Sequence, residues 1–434
     1  MNGRPGGATR FVAAMFCTML LSTVGACGGG GGSGSNTAVT NASPGAASTV
    51  APASSATSAS APVATSTPTT VSQSATPNVV AVTVGPTPTL TLNMLTTSVT
   101  VCAPGTSNCA TIDNVQVDTG SQGLRLLASA LPSSLVLPAV PAGSGSAAAG
   151  ECAVFGTGYS WGAVRLADVK LAGETATSLP IQVIGDPSFP ATPSSCESSG
   201  IAMNNATTLH ANGILGVGLF NSDCGLGCAS QAISPWYYAC PSSGCAPSSQ
   251  PLAQQVSNPV AAFSADNNGV VIDLPAIGAD GASSVSGTLT FGIGTQADNQ
   301  LGSATVLHAN ASNGFVTTTT SDGTVYPVSY LDSGANGLFF SSSAFTLCGD
   351  WFCSSATQNL NATITDIDNT NVSINMSVVS VQTLLASSNW AFNDLAGYNG
   401  SIFAWGLPFF YGRRVYAAID NQTTPAGNGP FFAF

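Results

Sequence analysis

The chain has 434 residues, enough for about two domains plus appendages. Only 6% of its residues are charged, seven Lys and Arg against 19 Asp and Glu, for a formal net charge of −12. Nucleic-acid binding draws its affinity from clustered Lys and Arg, so this composition argues against nucleic acid as a partner.

In chain order, the first signal is export. Arg4 and Arg10 precede the apolar run "FVAAMFCTMLLSTV" (11 to 24), which is too short for an ordinary membrane span and reads as a signal peptide. It ends in Val24-Gly25-Ala26-Cys27, the pattern of a bacterial lipobox, so residues 1–27 are expected to be a lipoprotein signal with Cys27 as the acylated anchor. Gly28 is not the Asp that marks retention in the inner membrane, which leaves the outer membrane, or the cell surface, as the expected location. Residues 28–80 are rich in Gly, Ser, Thr, Ala and Pro and bury too little apolar surface to offset their ordering entropy; they read as a disordered tether. The stretch has no charge, so it supplies no basic pro-segment.

Of 12 cysteines, setting aside Cys17 and Cys27 leaves an even ten, as expected for disulfides formed in an oxidising compartment. Spacing favours the short loops Cys102–Cys109, Cys240–Cys245 and Cys348–Cys353, and leaves the pairing of Cys152, Cys196, Cys224 and Cys228 open. Cys224-x-x-x-Cys228 also has the look of half a zinc site, but only His210 and His308 are on hand to complete it, so no metal is expected.

Beyond residue 80 the pattern is β almost throughout. "TLTLNML", "SVTVC", "NVQV", "GTLTFGIG" and "TVYPVSYL" read as strands, while "LASAL", "SQAISPWYYA" and "PLAQQV" read as short helices. Within this body one phrase occurs twice: "VDTGSQGLRL" at 117 to 126 and "LDSGANGLFF" at 331 to 340. An apolar strand running into Asp, a small hydroxylated residue and Gly makes a tight turn that presents a carboxylate at a strand end. Two such turns suggest a duplicated lobe with one carboxylate from each. Two carboxylates brought close cannot both ionise easily, so they share a proton and can act as base and acid toward a water between them.

These repeats resemble the paired signatures of pepsin-like aspartic proteases, and further pieces follow in the family's order. "FGTGYSWGAVRLADVKLAG" (155 to 173) resembles the flap hairpin and its following strand. "NGILGVGLF" (212 to 220), with Ile214-Leu215-Gly216, resembles the apolar-apolar-Gly segment beside the first Asp loop; Ala404-Trp405-Gly406 resembles its counterpart, and "GTLTFGIG" a strand near the lobe junction. The resemblance covers about residues 85 to 434.

It implies a mostly-β, bilobal double β-barrel with an active-site cleft between lobes at 81–300 and 301–434. Asp118 and Asp332 would be the catalytic pair, with Thr119, Gly120, Ser121, Ser333 and Gly334 supporting it. Phe155, Gly156, Thr157, Gly158 and Tyr159 would form the flap. A peptide or protein substrate, no cofactor and a monomer are implied.

The departures are specific. Ala335 stands where Ser121 has a hydroxyl, which should raise the pKa of the second carboxylate. Phe155 replaces the flap tyrosine and leaves Tyr159 as the nearest hydroxyl. Arg125 replaces a buttressing tryptophan and would pair either with an acidic substrate or with a carboxylate inside the lobe. The ensemble also resembles an uncharacterised family of bacterial exported proteins.

Two other readings stay open: a non-catalytic surface lipoprotein whose cleft binds peptide or glycan, and a disulfide-braced structural domain in which Asp118 and Asp332 lie far apart. Ser-His-Asp catalysis is not supported, because "GTGYSWG" lacks the spacing of a nucleophile elbow and neither histidine has a matching context. "FGIGTQ" lacks the spacing of a phosphate loop.

Overall fold

The computed structural model describes residues 77–143 and 145–434. The signal peptide, Cys27 and nearly all of the tether lie outside the described residues. Among those described, no helix is long and apolar enough to cross a membrane.

Strands carry the architecture. A fifteen-stranded sheet and a nine-stranded sheet hold almost all of them, with a two-stranded ribbon beside. Alternation explains the one-sided strands: in Gln358–Thr365, Leu360, Ala362 and Ile364 turn inward while Asn359, Asn361 and Thr363 turn out. The helices are single turns such as Ser194–Glu197, Ala206–Leu209 and Val381–Leu385.

The two lobes repeat one motif. In the first, strand Cys109–Asp118 pairs parallel with Gly213–Val217, which pairs antiparallel on its other side with Gln122–Leu127. In the second, Val325–Leu331 pairs parallel with Phe403–Trp405, which pairs antiparallel with Leu338–Phe340. Each Asp strand thus turns back and leaves across a third strand threaded between its two limbs. A shared platform joins the lobes: Val79–Val84, Val285–Phe291, Gly269–Leu274, Arg413–Ala418, Phe431–Ala433 and Val306–His308 lie side by side in the large sheet, drawn from both sides of residue 300. The second lobe fills its core with aromatic rings, Phe340 stacked on Phe403 at 5.1 Å and Phe403 against Trp405 at 4.4 Å.

Two expectations are corrected. "TLTLNML" is a run of turns, because Leu90 and Asn93 take positive φ and the hydroxyls of Thr87, Thr89 and Thr91 bond one another instead of a neighbouring strand. Within "SQAISPWYYA" only Ser230 is helical, as the last residue of Leu226–Ser230, and Tyr237–Cys240 is a strand against Ala148–Phe155; Pro235 lacks the amide a helix would use.

The disulfides include the three short loops, and the four open cysteines pair as Cys152–Cys196 and Cys224–Cys228. The second pairing removes Cys224 and Cys228 as metal ligands.

Candidate functional site

Asp118 ends its strand opposite Gly216, and the amide of Asp332 donates to the carbonyl of Trp405 at 2.9 Å. Both turns therefore sit where the threaded strand crosses, one from each lobe. They are bolted together reciprocally. The Thr119 amide donates to Ser333 Oγ at 3.1 Å and the Ser333 amide to Thr119 Oγ1 at 2.9 Å. Thr119 Oγ1 then donates to the Leu331 carbonyl at 3.0 Å, and Ser333 Oγ to the Val117 carbonyl at 2.8 Å. All four bonds are buried, and each crosses between lobes.

The glycines explain themselves by contact. A Cβ on Gly120 would stand 2.7 Å from the Asp332 Cγ, and one on Gly334 would stand 2.5 Å from Asp118 Oδ1. Each carboxyl group lies against the main chain of the other lobe's turn, so any side chain there would push the pair apart. The reading in which Asp118 and Asp332 lie far apart is thereby overturned.

The environments of the two carboxyls differ. Asp118 accepts from the Gly120 amide at 2.8 Å and from the Ser121 hydroxyl at 2.5 Å. Asp332 accepts only backbone amides, Gly334 at 2.8 Å and Ala335 at 3.1 Å, both at Oδ1. Burial, then the charge of Asp118 and a hydrogen bond with it, hold Asp332 well above the usual carboxylate range, outweighing those two amides.

The hairpin Ala148–Phe155 / Gly158–Leu171 turns at Gly156 and Thr157. Phe155 packs against the cluster of Leu127, Ile184, Met203, Leu209 and Ile214, which includes the strands flanking the Asp118 turn. Tyr159 does not serve as a stand-in hydroxyl at the hairpin tip. Its ring is buried with Trp161, Phe189, Tyr238 and the Cys152–Cys196 bridge, and its hydroxyl bonds Thr192.

Arg125 is also spent inside the lobe, so the reading in which it meets an acidic substrate gives way. Its Nη2 contacts Glu151 at 2.6 Å and Asp223 at 3.1 Å, and the guanidinium lies 5.8 Å from the Phe155 ring centre. Tyr237 donates to Asp223 at 2.7 Å. Burial first, then Glu151, holds Asp223 well above its usual range. Sequence reasoning missed Glu151 and Asp223. The available signal was Glu151 itself, one of three glutamates, set inside the apolar run "AAAGECAVF".

Two further residues were missed. Gln116 donates from the first lobe to the Gly334 carbonyl at 2.8 Å. Buried Asn93 donates to the Asn336 and Phe392 carbonyls and accepts from Tyr411, linking the N-terminal segment to the second lobe.

Among the described residues one group has metal-ligating types close together, His308, Asp366 and Asp368. His308 Nδ1 is engaged with Asp368 at 2.8 Å, and Asp366 accepts the amides of His308, Asp368 and Thr370, so these atoms are already spent on one another and on the backbone.

Two β lobes, each threading one strand through an Asp turn, with the turns bolted across a shared sheet, define a mostly-β bilobal pepsin-like fold. The chain belongs to the family described as "Protein of unknown function (DUF3443)", whose profile matches residues 74–434. Among solved structures it is similar to the crystal structure of aspartic proteinase from Irpex lacteus, with a TM-score of 0.47 and 17% identity over 81% of this chain and 96% of that one. No curated protein matches it significantly.

Proposed function

We propose that this protein is an aspartic endopeptidase, with Asp118 and Asp332 as its catalytic pair. One observation carries the reading: two carboxyls from separate lobes meet at mirrored turns, each against the other's glycine. In the reaction, the two carboxyls share one proton with a water between them, Asp332 placed as the acid and Asp118 as the base. The water oxygen attacks the peptide carbonyl carbon as its proton passes to Asp118, and the Asp332 proton passes to the carbonyl oxygen. The tetrahedral diol then collapses: the C–N bond breaks, the leaving nitrogen takes the proton from Asp118, and a diol hydroxyl returns one to Asp332. The pair needs no metal or nucleophilic side chain for these transfers. Thr119 and Ser333 keep the two turns level, Gly120 and Gly334 admit the opposing carboxyls, and Ser121 orients Asp118.

The test is cleavage of a denatured protein between pH 3 and 7 by the domain without its tether, beside Asp118→Asn and Asp332→Asn. Activity lost in each folded variant supports the reading. No cleavage by folded wild type at any of these pH values overturns it.

A second reading is a non-catalytic relative whose cleft binds peptide or glycan. Two departures favour it, the missing hydroxyl at Ala335 and the phenyl ring at Phe155. Under either reading we propose an exported protein held to the outer membrane by lipid at Cys27.

A further inference from the structure

The segment between strands Glu174–Ile184 and Gly213–Val217 wraps around the hairpin that ends in Phe155–Tyr159. Cys196 in this segment bonds Cys152 on the rising limb of the hairpin. Farther on, the Tyr159 amide donates to the Ile201 carbonyl at 2.9 Å and the Met203 amide to the Tyr159 carbonyl at 2.7 Å, so Tyr159 pairs with Ala202 as strands do. Thr157 Oγ1 lies 3.1 Å from the Met203 sulfur, and the Trp161 amide donates to Asn204 Oδ1 at 3.0 Å. The crossing is tight: a Cβ on Gly158 would stand 2.1 Å from the Ile201 carbonyl oxygen, and one on Gly200 would stand 3.2 Å from the Gly158 Cα. Gly158 is therefore demanded by the main chain that passes over it as much as by the hairpin turn.

A two-stranded hairpin tip with no partner opens locally at little cost, since few bonds hold it. Here the tip has a third partner and a covalent tie close to its root. We propose that residues 185–211 are a strap that positions Phe155–Tyr159 as a fixed element of the first lobe, with Cys152–Cys196 as its fastening. Met203 and Leu209 of the strap belong to the cluster against which Phe155 packs, together with Leu127 and Ile214 beside the Asp118 turn. It thus sets where the hairpin tip stands relative to the strands that carry the first carboxyl. Its relevance to peptide cleavage rests on the function proposed above; its existence as a mechanical unit does not.

Hydrogen exchange followed by mass spectrometry on the full chain separates the two questions. In wild type, peptides covering 156–160 and 199–204 are expected to be protected to the same degree. In Cys152→Ala/Cys196→Ala and in Gly158→Ala, both peptides are expected to exchange about tenfold faster or more, and together, while Gly269–Leu274 and Arg413–Ala418 keep their wild-type rates. Gly158→Ala leaves every disulfide in place, so it decides the matter if the cysteine variant fails to fold. A tip that exchanges freely in wild type, or strap and tip rates that part company in Gly158→Ala, overturns the proposal. Neither result depends on catalysis, so an inactive protein with a protected, coupled tip sinks the peptidase reading and leaves the strap standing.

Discussion

The two Asp turns are alike in backbone and unlike by one hydroxyl. Each offers a glycine amide to its carboxylate and a hydroxylated residue to the opposite lobe, but Ser121 adds a side-chain donor to Asp118, whereas Ala335 offers only its backbone amide to Asp332. The difference teaches that pairing is enforced by symmetry while the surroundings of the two acids are set apart by its breach: the reciprocal bonds of Thr119 and Ser333 bring the acids together, and the missing hydroxyl leaves Asp332 without the side-chain donor that Asp118 has.

The harshest break in that comparison is chemical. Asp118→Asn and Asp332→Asn are each expected to lower cleavage of a denatured substrate by roughly 10²–10⁴-fold, measured as kcat/KM in variants whose circular dichroism matches wild type. Equal losses are the signature of a shared proton.

A structural break comes next. Thr119→Val strands the Leu331 carbonyl and Ser333 amide, and Ser333→Ala strands the Val117 carbonyl and Thr119 amide. Each is expected to cost about 1–3 kcal/mol in urea unfolding, because buried polar groups lose their partners. A large loss in one variant and none in the other would refute the reciprocity.

Restoring the missing hydroxyl sharpens the asymmetry. Ala335→Ser gives ionised Asp332 a new donor and lowers its pKa, so the alkaline limb of the pH–rate profile should move toward acid. Ser121→Ala is expected to leave that limb closer to its wild-type position.

The smallest effect lies away from the pair. Burial, with Asp280 nearby, raises buried Asp394 to about 6. A carboxyl raised in the fold contributes stability that is complete below its unfolded pKa, about 4, and is lost as pH climbs to about 6. Asp394→Asn should flatten the urea midpoint across that window and leave the fold relatively stronger at pH 7.

Much of this was legible in the chain. The doubled Asp phrase, the apolar-apolar-Gly segments and the Val- and Thr-rich runs carry local chemistry, and local chemistry is what periodicity and turn composition report. The failures have a common cause. The sequence left Arg125 open to a substrate acid or to a carboxylate within the lobe and offered Tyr159 as a flap hydroxyl; their partners sit at Glu151, Asp223 and Thr192, positions brought near only by the folding of the lobe. "TLTLNML" alternates like a strand, but Leu90 and Asn93 take positive φ, so its backbone cannot hold a ladder, and Thr89 and Thr91 bond one another. A strap that crosses a hairpin leaves only glycines in the sequence, and glycines mark turns as often as crossings.

The shared platform has a consequence in time. Its neighbours Val79–Val84 and Val285–Phe291 belong to one end and the middle of the chain, while Arg413–Ala418 and Phe431–Ala433 come last. A ribosome or translocation pore releases these strands in sequence, so the sheet beneath both lobes stays unfinished until nearly the whole chain has emerged. Pairing over such separations is slow. The platform beneath both lobes is accordingly the part of the fold completed last, however early its first strand is made.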